Sequence, residues 1–186
     1  MAKIITILAG GFEEIEAITT IDLLRRAGNE VTVLGLSSTT VNGSHNITVK
    51  TDGILKDFKG QFDGIVLPGG QPGTTNLGNS NEVLELVRSA YAKGLLCAAI
   101  CAAPSVLGKA GILKGKKATC YPGTQDKLAG ATYQEIPVVR DGNIITSRGV
   151  GTAIAFALEI ISYFNGTEAA ARIAISIVYT PNQESA

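Results

Sequence analysis

Cys101 stands where a chain would build a nucleophile. Residues 95–100, Leu-Leu-Cys-Ala-Ala-Ile, form a continuous apolar run of the kind found in a parallel strand covered on both faces. Cys101 follows at once, and Pro104 is placed for the first turn of a helix reaching about Lys109. A strand that turns abruptly into a helix exposes the side chain at the turn, provided its neighbours are small, as Ala99, Ala102 and Ala103 are. This is the physics of a hydrolase nucleophile elbow, with sulfur in place of oxygen. The amino end of the following helix is expected to favour the thiolate and lower the thiol pKa. The bland alternative is a small buried hydrophobe, the commoner fate of a free cysteine. Cys97, inside the strand, reads as packing. Cys120, at a later strand end beside Tyr121, stays between packing and chemistry.

Acid/base partners for such a thiol are few. Glu13, Glu14 and Glu16 follow the first strand. Acidic residues in a first helical turn complement the helix dipole, and two of the three are assigned that task. The third, folded beneath the elbow, would share a proton with the sulfur if burial raises its pKa. The residues alone do not say which. Pro68-Gly69-Gly70 ends another strand, and N–H groups freed by glycine backbone there would cradle an oxyanion. Pro-Gly-Gly is also an ordinary turn, and its spacing fits no Walker or dinucleotide fingerprint. Arg148 is read either as a holder of an anion or a partner chain, or as a solvated side chain. His45 is the only histidine and lies in a polar loop far from these motifs, so it reads as structural or as surface. A Cys-His-Asp triad has no histidine to use.

The elements that must position these residues alternate between buried strands and amphipathic helices. Strands are expected at 3–9, 31–36, 47–49, 64–67, 95–100 and 117–120, and a hairpin at 138–146 around Asp141-Gly142. Helices are expected after Gly11, over the face marked by Val83, Leu86, Val87, Ala90 and Tyr91, from Pro104, and over 151–164 and 167–178. In the first helix Ile15, Ile18, Ile21 or Asp22, and Leu24 or Arg25 set the expected pattern. Residues 37–46 and 71–80 are expected as loops. The pattern argues an α/β sandwich with a mostly parallel sheet, whose ligands bind beyond the carboxyl ends of the strands.

The counts bound the rest. The chain has 186 residues, long enough for one well-packed domain spanning 1–186, with no repeat or linker to divide it. Its 16 basic and 16 acidic residues balance, so no general nucleic-acid binding is expected. An odd count of three cysteines without a Cys-x-x-Cys pair argues against a disulfide framework and for a reducing compartment. One histidine and scattered cysteines do not build a four-ligand Cys/His zinc site, so no metal is expected. No leader and no apolar run of about 20 residues is seen, so a cytoplasmic protein without a membrane span is expected.

Four segments together resemble the ThiJ/PfpI superfamily, in the branch of the parkinsonism-associated deglycase and its bacterial relatives. They are Leu8-Ala9-Gly10-Gly11-Phe12-Glu13-Glu14-Ile15-Glu16, Val66-Leu67-Pro68-Gly69-Gly70, Ala98-Ala99-Ile100-Cys101-Ala102-Ala103-Pro104 and Thr146-Ser147-Arg148-Gly149-Val150-Gly151-Thr152. The resemblance covers nearly the whole chain. It implies a flavodoxin-like three-layer sandwich and a homodimer, with the first helix and the Arg148 segment near the interface. It puts the reactive cysteine on Cys101 and its partner carboxyl on Glu16. Oxyanion and substrate contacts fall on Gly69, Gly70, Ala102 and Tyr121. Several relatives carry a histidine where Tyr121-Pro122 stands here, so any mechanism that requires that histidine is put in doubt. The activity implied is a glyoxalase without glutathione, or a deglycase, acting on methylglyoxal or its early adducts and releasing lactate without a cofactor. A redox-sensing or chaperone-like stress protein is the alternative implied. A thiazole-biosynthesis role or a cysteine hydrolase ranks below both.

Overall fold

The computed structural model describes residues 1–180. Its centre is a seven-stranded sheet of order β10-β11-β7-β6-β1-β2-β5. The strands are β1 (Lys3–Leu8), β2 (Glu30–Gly35), β5 (Gly53–Ile54), β6 (Gly64–Leu67), β7 (Leu96–Ile100), β10 (Val138–Asp141) and β11 (Ile144–Ser147). All pairings are parallel except β10 with β11, the expected hairpin. The order β2-β1-β6-β7-β11 is that of a flavodoxin-like fold, and it reverses direction at β1. Two small ribbons, β3 (Thr40–Asn42) with β4 (Thr48–Lys50) and β8 (Lys117–Ala118) with β9 (Thr132–Tyr133), lie outside it.

The period-2 alternation of the strands divides the core into two layers. On one face Ile5, Ile7, Ile65, Leu67, Cys97 and Ala99 pack with Val83, Val87, Val106 and Leu107. Those last residues belong to α3 (Asn81–Ala92) and α4 (Pro104–Lys109). On the other face Ile4, Leu8, Val66, Ala98 and Ile100 pack with Ala17, Ile21, Leu24, Phe156, Ile160 and Ile161. These come from α1 (Glu14–Arg26) and α5 (Ala153–Asn165); α6 (Thr167–Ser176) lies against α5. Apolar cover on both faces explains why the strands read as unbroken apolar runs. Among the described residues no helix is long and apolar enough to cross a membrane.

Three expectations are corrected. Residues 71–80 are not all loop: Gly73–Asn79 form α2, held by the Gly73 N–H on the Gly11 carbonyl and the Asn76 carboxamide on the Gly10 carbonyl. The segment 37–46 contains β3, whose pairing with β4 closes a ribbon. Finally, α1 is turned from its expected face. Ile15 and Ile18 are 53% and 43% exposed, whereas Glu14, Glu16, Ala17 and Thr20 are buried.

Candidate active site

Cys101 follows β7 in a left-handed conformation, φ +65°, which a residue with a Cβ adopts only under constraint. Two neighbours supply that constraint. The Cys101 N–H donates to the Ser147 carbonyl of β11 at 3.0 Å, and its carbonyl accepts from the Tyr121 N–H at 2.7 Å. Ala102 and Ala103 complete the turn, and Pro104 opens α4 at its first position. The elbow inferred from small neighbours is therefore present, with the side chain partly exposed.

Glu16 is the carboxylate beneath it, and it is 0% exposed. Its Oε2 accepts the Gly69 N–H at 2.8 Å, while Oε1 is buried without a hydrogen-bond partner among the described residues. Gly69 stands between the two groups. A Cβ there would fall 2.6 Å from the Cys101 Cβ and 2.7 Å from Glu16 Oε2. The missing side chain is what lets α1 and the end of β7 converge. Gly70 follows at φ +89°, and a Cβ on it would meet the Glu13 nitrogen at 2.3 Å. Of the expected oxyanion and substrate contacts, Gly69 has its N–H taken by Glu16. The amides that face the sulfur are those of Gly70 and Ala102.

The electrostatics follow from burial. Desolvation raises the Glu16 carboxyl to about 7, against the pull of the Gly69 N–H. Burial, and then the facing Glu16 carboxylate, push the Cys101 thiol up to about 12, while the Ala102 and Gly70 amides pull it down. The amides at the turn lower the thiol in the expected direction, and burial with the Glu16 carboxylate outweighs them. The helix, α4, is one and a half turns long and starts three residues on, and the nearest charge is an anion. The Glu16 contribution disappears when Glu16 takes a proton. The two groups thus form a proton-sharing pair in which Glu16 titrates near neutrality.

The other candidates divide. Tyr121 is 52% exposed, and its ring flanks Gly149, whose absent Cβ would lie 3.4 Å from that ring and 4.0 Å from Glu16 Oε1. Cys97 is wholly buried, and burial pushes its thiol up to about 12, as packing requires. Cys120 is also buried and raised by burial. Arg148 is partly exposed and pairs with Glu135 at 3.0 Å. A cleft of about 820 Å³ opens at the ends of β1 and β2 beside Asn76 and Ser80, and Cys101 does not line it.

Glu14 and the position of His45 correct the remaining expectations, while the His45 side chain is exposed, as a surface residue would be. Glu14 does more than complement a dipole. Its Oε1 accepts the backbone N–H groups of His45 at 2.7 Å and Ile47 at 3.3 Å, and its Oε2 lies 3.1 Å from His45 Nδ1. Burial alone would raise Glu14; its own N–H together with those of His45 and Ile47 and the imidazole outweigh it and hold the carboxyl down to about 2. His45, far from the motif in sequence, lies against it in space. No signal in a single sequence pairs residues 31 positions apart.

The family model described as the DJ-1/PfpI family matches residues 2–163. Protein dj-1beta of Drosophila melanogaster is 42% identical over 182 residues, covering 96% of this chain and 97% of its own. Its crystal structure superposes with a TM-score of 0.93, covering 97% of this chain and 99% of that one. A Caenorhabditis elegans protein named glutathione-independent glyoxalase DJR-1.2 is 39% identical over 159 residues, 84% of each chain. The structure of oxidized Toxoplasma gondii DJ-1 is 36% identical, with a TM-score of 0.94 over 97% of this chain and 100% of that one.

Proposed function

Since the chain belongs to the DJ-1/PfpI family, we propose that it is a cysteine-dependent, glutathione-independent glyoxalase or deglycase. Its substrate is methylglyoxal or an early glycation adduct, and its product is lactate. One observation carries the proposal. A fully buried glutamate with an unpartnered oxygen is held against a cysteine in a strained elbow, with two amides facing the sulfur. The C. elegans relative, named as a glyoxalase, supports the substrate class.

The reaction balances with these groups alone. The Cys101 sulfur bonds to the aldehyde carbon, and its proton passes to Glu16. The new oxyanion takes the Gly70 and Ala102 N–H groups and then that proton, giving a hemithioacetal. Glu16 next removes the hydrogen of the former aldehyde carbon as a proton. It returns a proton to the adjacent carbon while the hydroxyl proton on the first carbon passes to the oxygen of the second, so the first carbon is oxidised and the second reduced, leaving a lactoyl thioester. Water adds, the C–S bond breaks, lactate leaves and the sulfur regains its proton. With a glycated amine, the sulfur displaces the amine from the aminocarbinol carbon and the same steps follow.

Cys101→Ala is expected to abolish lactate formation from methylglyoxal, and unchanged turnover refutes the assignment. The second reading, a redox sensor, draws on the partly exposed Cys101 thiol beside a carboxyl that can hydrogen-bond a sulfinate. It predicts two added oxygens on Cys101 after mild peroxide, with no lactate from the untreated protein. A homodimer in the cytoplasm completes the proposal. Ile15, Ile18 and Val150 give an exposed apolar surface on α1 and the segment after Arg148. Ile18→Asp is expected to shift sedimentation to the monomer.

A further inference from the structure

We propose that the cleft between α2, α4 and the turn Gln125–Leu128 binds a phosphate dianion, free or as the head of a small phosphomonoester, through Lys109, Lys127 and the hydroxyl of Thr74. The site takes no part in the chemistry assigned to Cys101.

The cleft holds about 370 Å³, within the range of about 300–1,000 Å³ usual for small-molecule sites. Its walls come from three elements. Gln71 and Thr74 belong to α2 and the residues leading into it, Lys109 ends α4, and Asp126 and Lys127 lie on the turn. Gly108 fixes how the last two walls meet. A Cβ there would overlap the Lys127 carbonyl oxygen, so the turn lies on α4 only because residue 108 has no side chain. That close approach brings Lys109 and Lys127 to one cleft.

Thr74 shows that a partner is missing. The residue lines the cleft and is 4% exposed, and its hydroxyl is buried with no hydrogen-bond partner among the described residues. A buried hydroxyl left unpaired is costly. Its neighbours do not relieve it, because their own hydroxyls are spent. The Thr75 hydroxyl donates to the Gln71 carboxamide oxygen at 2.8 Å, and the Ser105 hydroxyl donates to the Ala102 carbonyl at 2.6 Å. What the lining leaves over is donors. Lys109 gives one hydrogen to Asn79 Oδ1 at 3.3 Å and keeps two. Among the described residues neither Lys109 nor Lys127 pairs with a carboxylate.

The charge of the cleft selects the ligand. Two ammonium groups stand against one carboxylate, that of Asp126, so the lining is positive as well as rich in donors. A cation would be repelled, and a neutral ligand would leave both lysines unpaired. A phosphate dianion uses both, since lysine meets phosphate as a point charge and a charged acceptor takes the stronger hydrogen bonds. Val106 and Ala129 give the cleft an apolar flank, which the carbon skeleton of a phosphomonoester would cover.

The test titrates the full-length protein calorimetrically with glycerol 3-phosphate and, in a second arm, with inorganic phosphate. Ionic strength is held constant, and the pH is about 7.5, where a phosphomonoester is largely dianionic. One ligand per chain is expected, with no binding of glycerol. Tighter binding of the ester assigns the site to a phosphorylated small molecule, and equal binding assigns it to free phosphate. Lys109→Gln and Lys127→Gln should each lower the affinity about tenfold or more. Lys50→Gln removes the same charge from an exposed position outside the cleft and should not. Failure of both probes to saturate at millimolar concentration, unchanged affinity in Lys127→Gln, or an equal loss in Lys50→Gln overturns the proposal. Thr74→Val adds a readout that does not depend on charge. It should weaken phosphate binding while leaving the ligand-free urea midpoint unchanged or raised, because it removes an unpaired hydroxyl. A lowered ligand-free midpoint would mean that the hydroxyl already has its partner, and it too overturns the proposal.

Discussion

Gly69→Ala is the smallest change that separates Cys101 from Glu16 without altering either. Gly69 is not in the left-handed region, so alanine is forbidden there by space and not by its backbone. The added carbon would stand 2.6 Å from the Cys101 Cβ, 2.7 Å from Glu16 Oε2 and 3.0 Å from the Ile100 carbonyl. Ordinary contact begins at 3.4 Å, so the elbow and the carboxylate must move apart by about 0.8 Å. Overpacking of this kind costs about 1–3 kcal/mol. Misplacing reacting groups by about 1 Å costs on the order of a hundredfold in rate. The variant is therefore expected to fold with a lowered denaturation midpoint and to lose about two orders of magnitude in kcat for lactate formation. Gly151→Ala, with nothing within 4 Å of its Cβ, is the control and is expected to keep its midpoint. Wild-type kcat and an unchanged midpoint in Gly69→Ala would refute the claim that Gly69 sets the separation of the pair.

Glu16→Gln is expected to lower neutral-pH turnover by about 10²–10⁴-fold and to remove the rise in kcat/KM through pH about 7; a variant that keeps this limb has its base elsewhere. The same substitution reports on stability. The Glu16 carboxyl is raised in the fold from 4.5 to about 7, so its contribution is greatest below 4.5, falls between those values and is flat above them. The glutamine variant should therefore gain on the wild type as pH rises through that window, by about 3 kcal/mol at most, read from urea midpoints. Glu14 has the opposite sign: its carboxyl is held at about 2, so its stabilisation is present above 4.5 and lost as pH falls toward 2. Glu14→Gln should flatten that acid limb, and an unchanged limb assigns acid unfolding to other carboxylates.

The elbow could be read from residues because it is local: an apolar run, a cysteine, small neighbours and a proline, all within ten positions. The sheet was legible for a similar reason, since strands covered on both faces announce themselves as unbroken apolar runs. What stayed hidden depends on contacts across the fold. Gly73–Asn79 has poor helix-forming residues, and its helix is held by Gly10, Gly11 and the buried Leu77. Hydrophobic periodicity points to the wrong face of α1 in its first two turns. Burying Glu16 beneath the elbow turns Ile15 and Ile18 outward, so the site overrides the usual pattern. The roles of Gly69 and Gly70 also divided only in space. One amide is consumed by Glu16 while its neighbour remains beside the sulfur.

The walls of this site are made largely of main chain. Gly69 sits against Cys101 and Glu16, Gly70 against Glu13, and Gly11 against Pro72, each at a distance that admits no side chain. Mutation therefore has little raw material with which to reshape the interior. Adding volume at these glycines damages the pair before it can select a substrate. Diversification toward new substrates is channelled to the rim, where the ring of Tyr121 stands half in solvent over Gly149. A library for altered selectivity should accordingly be concentrated at Tyr121 and its exposed neighbours, with the glycines left fixed.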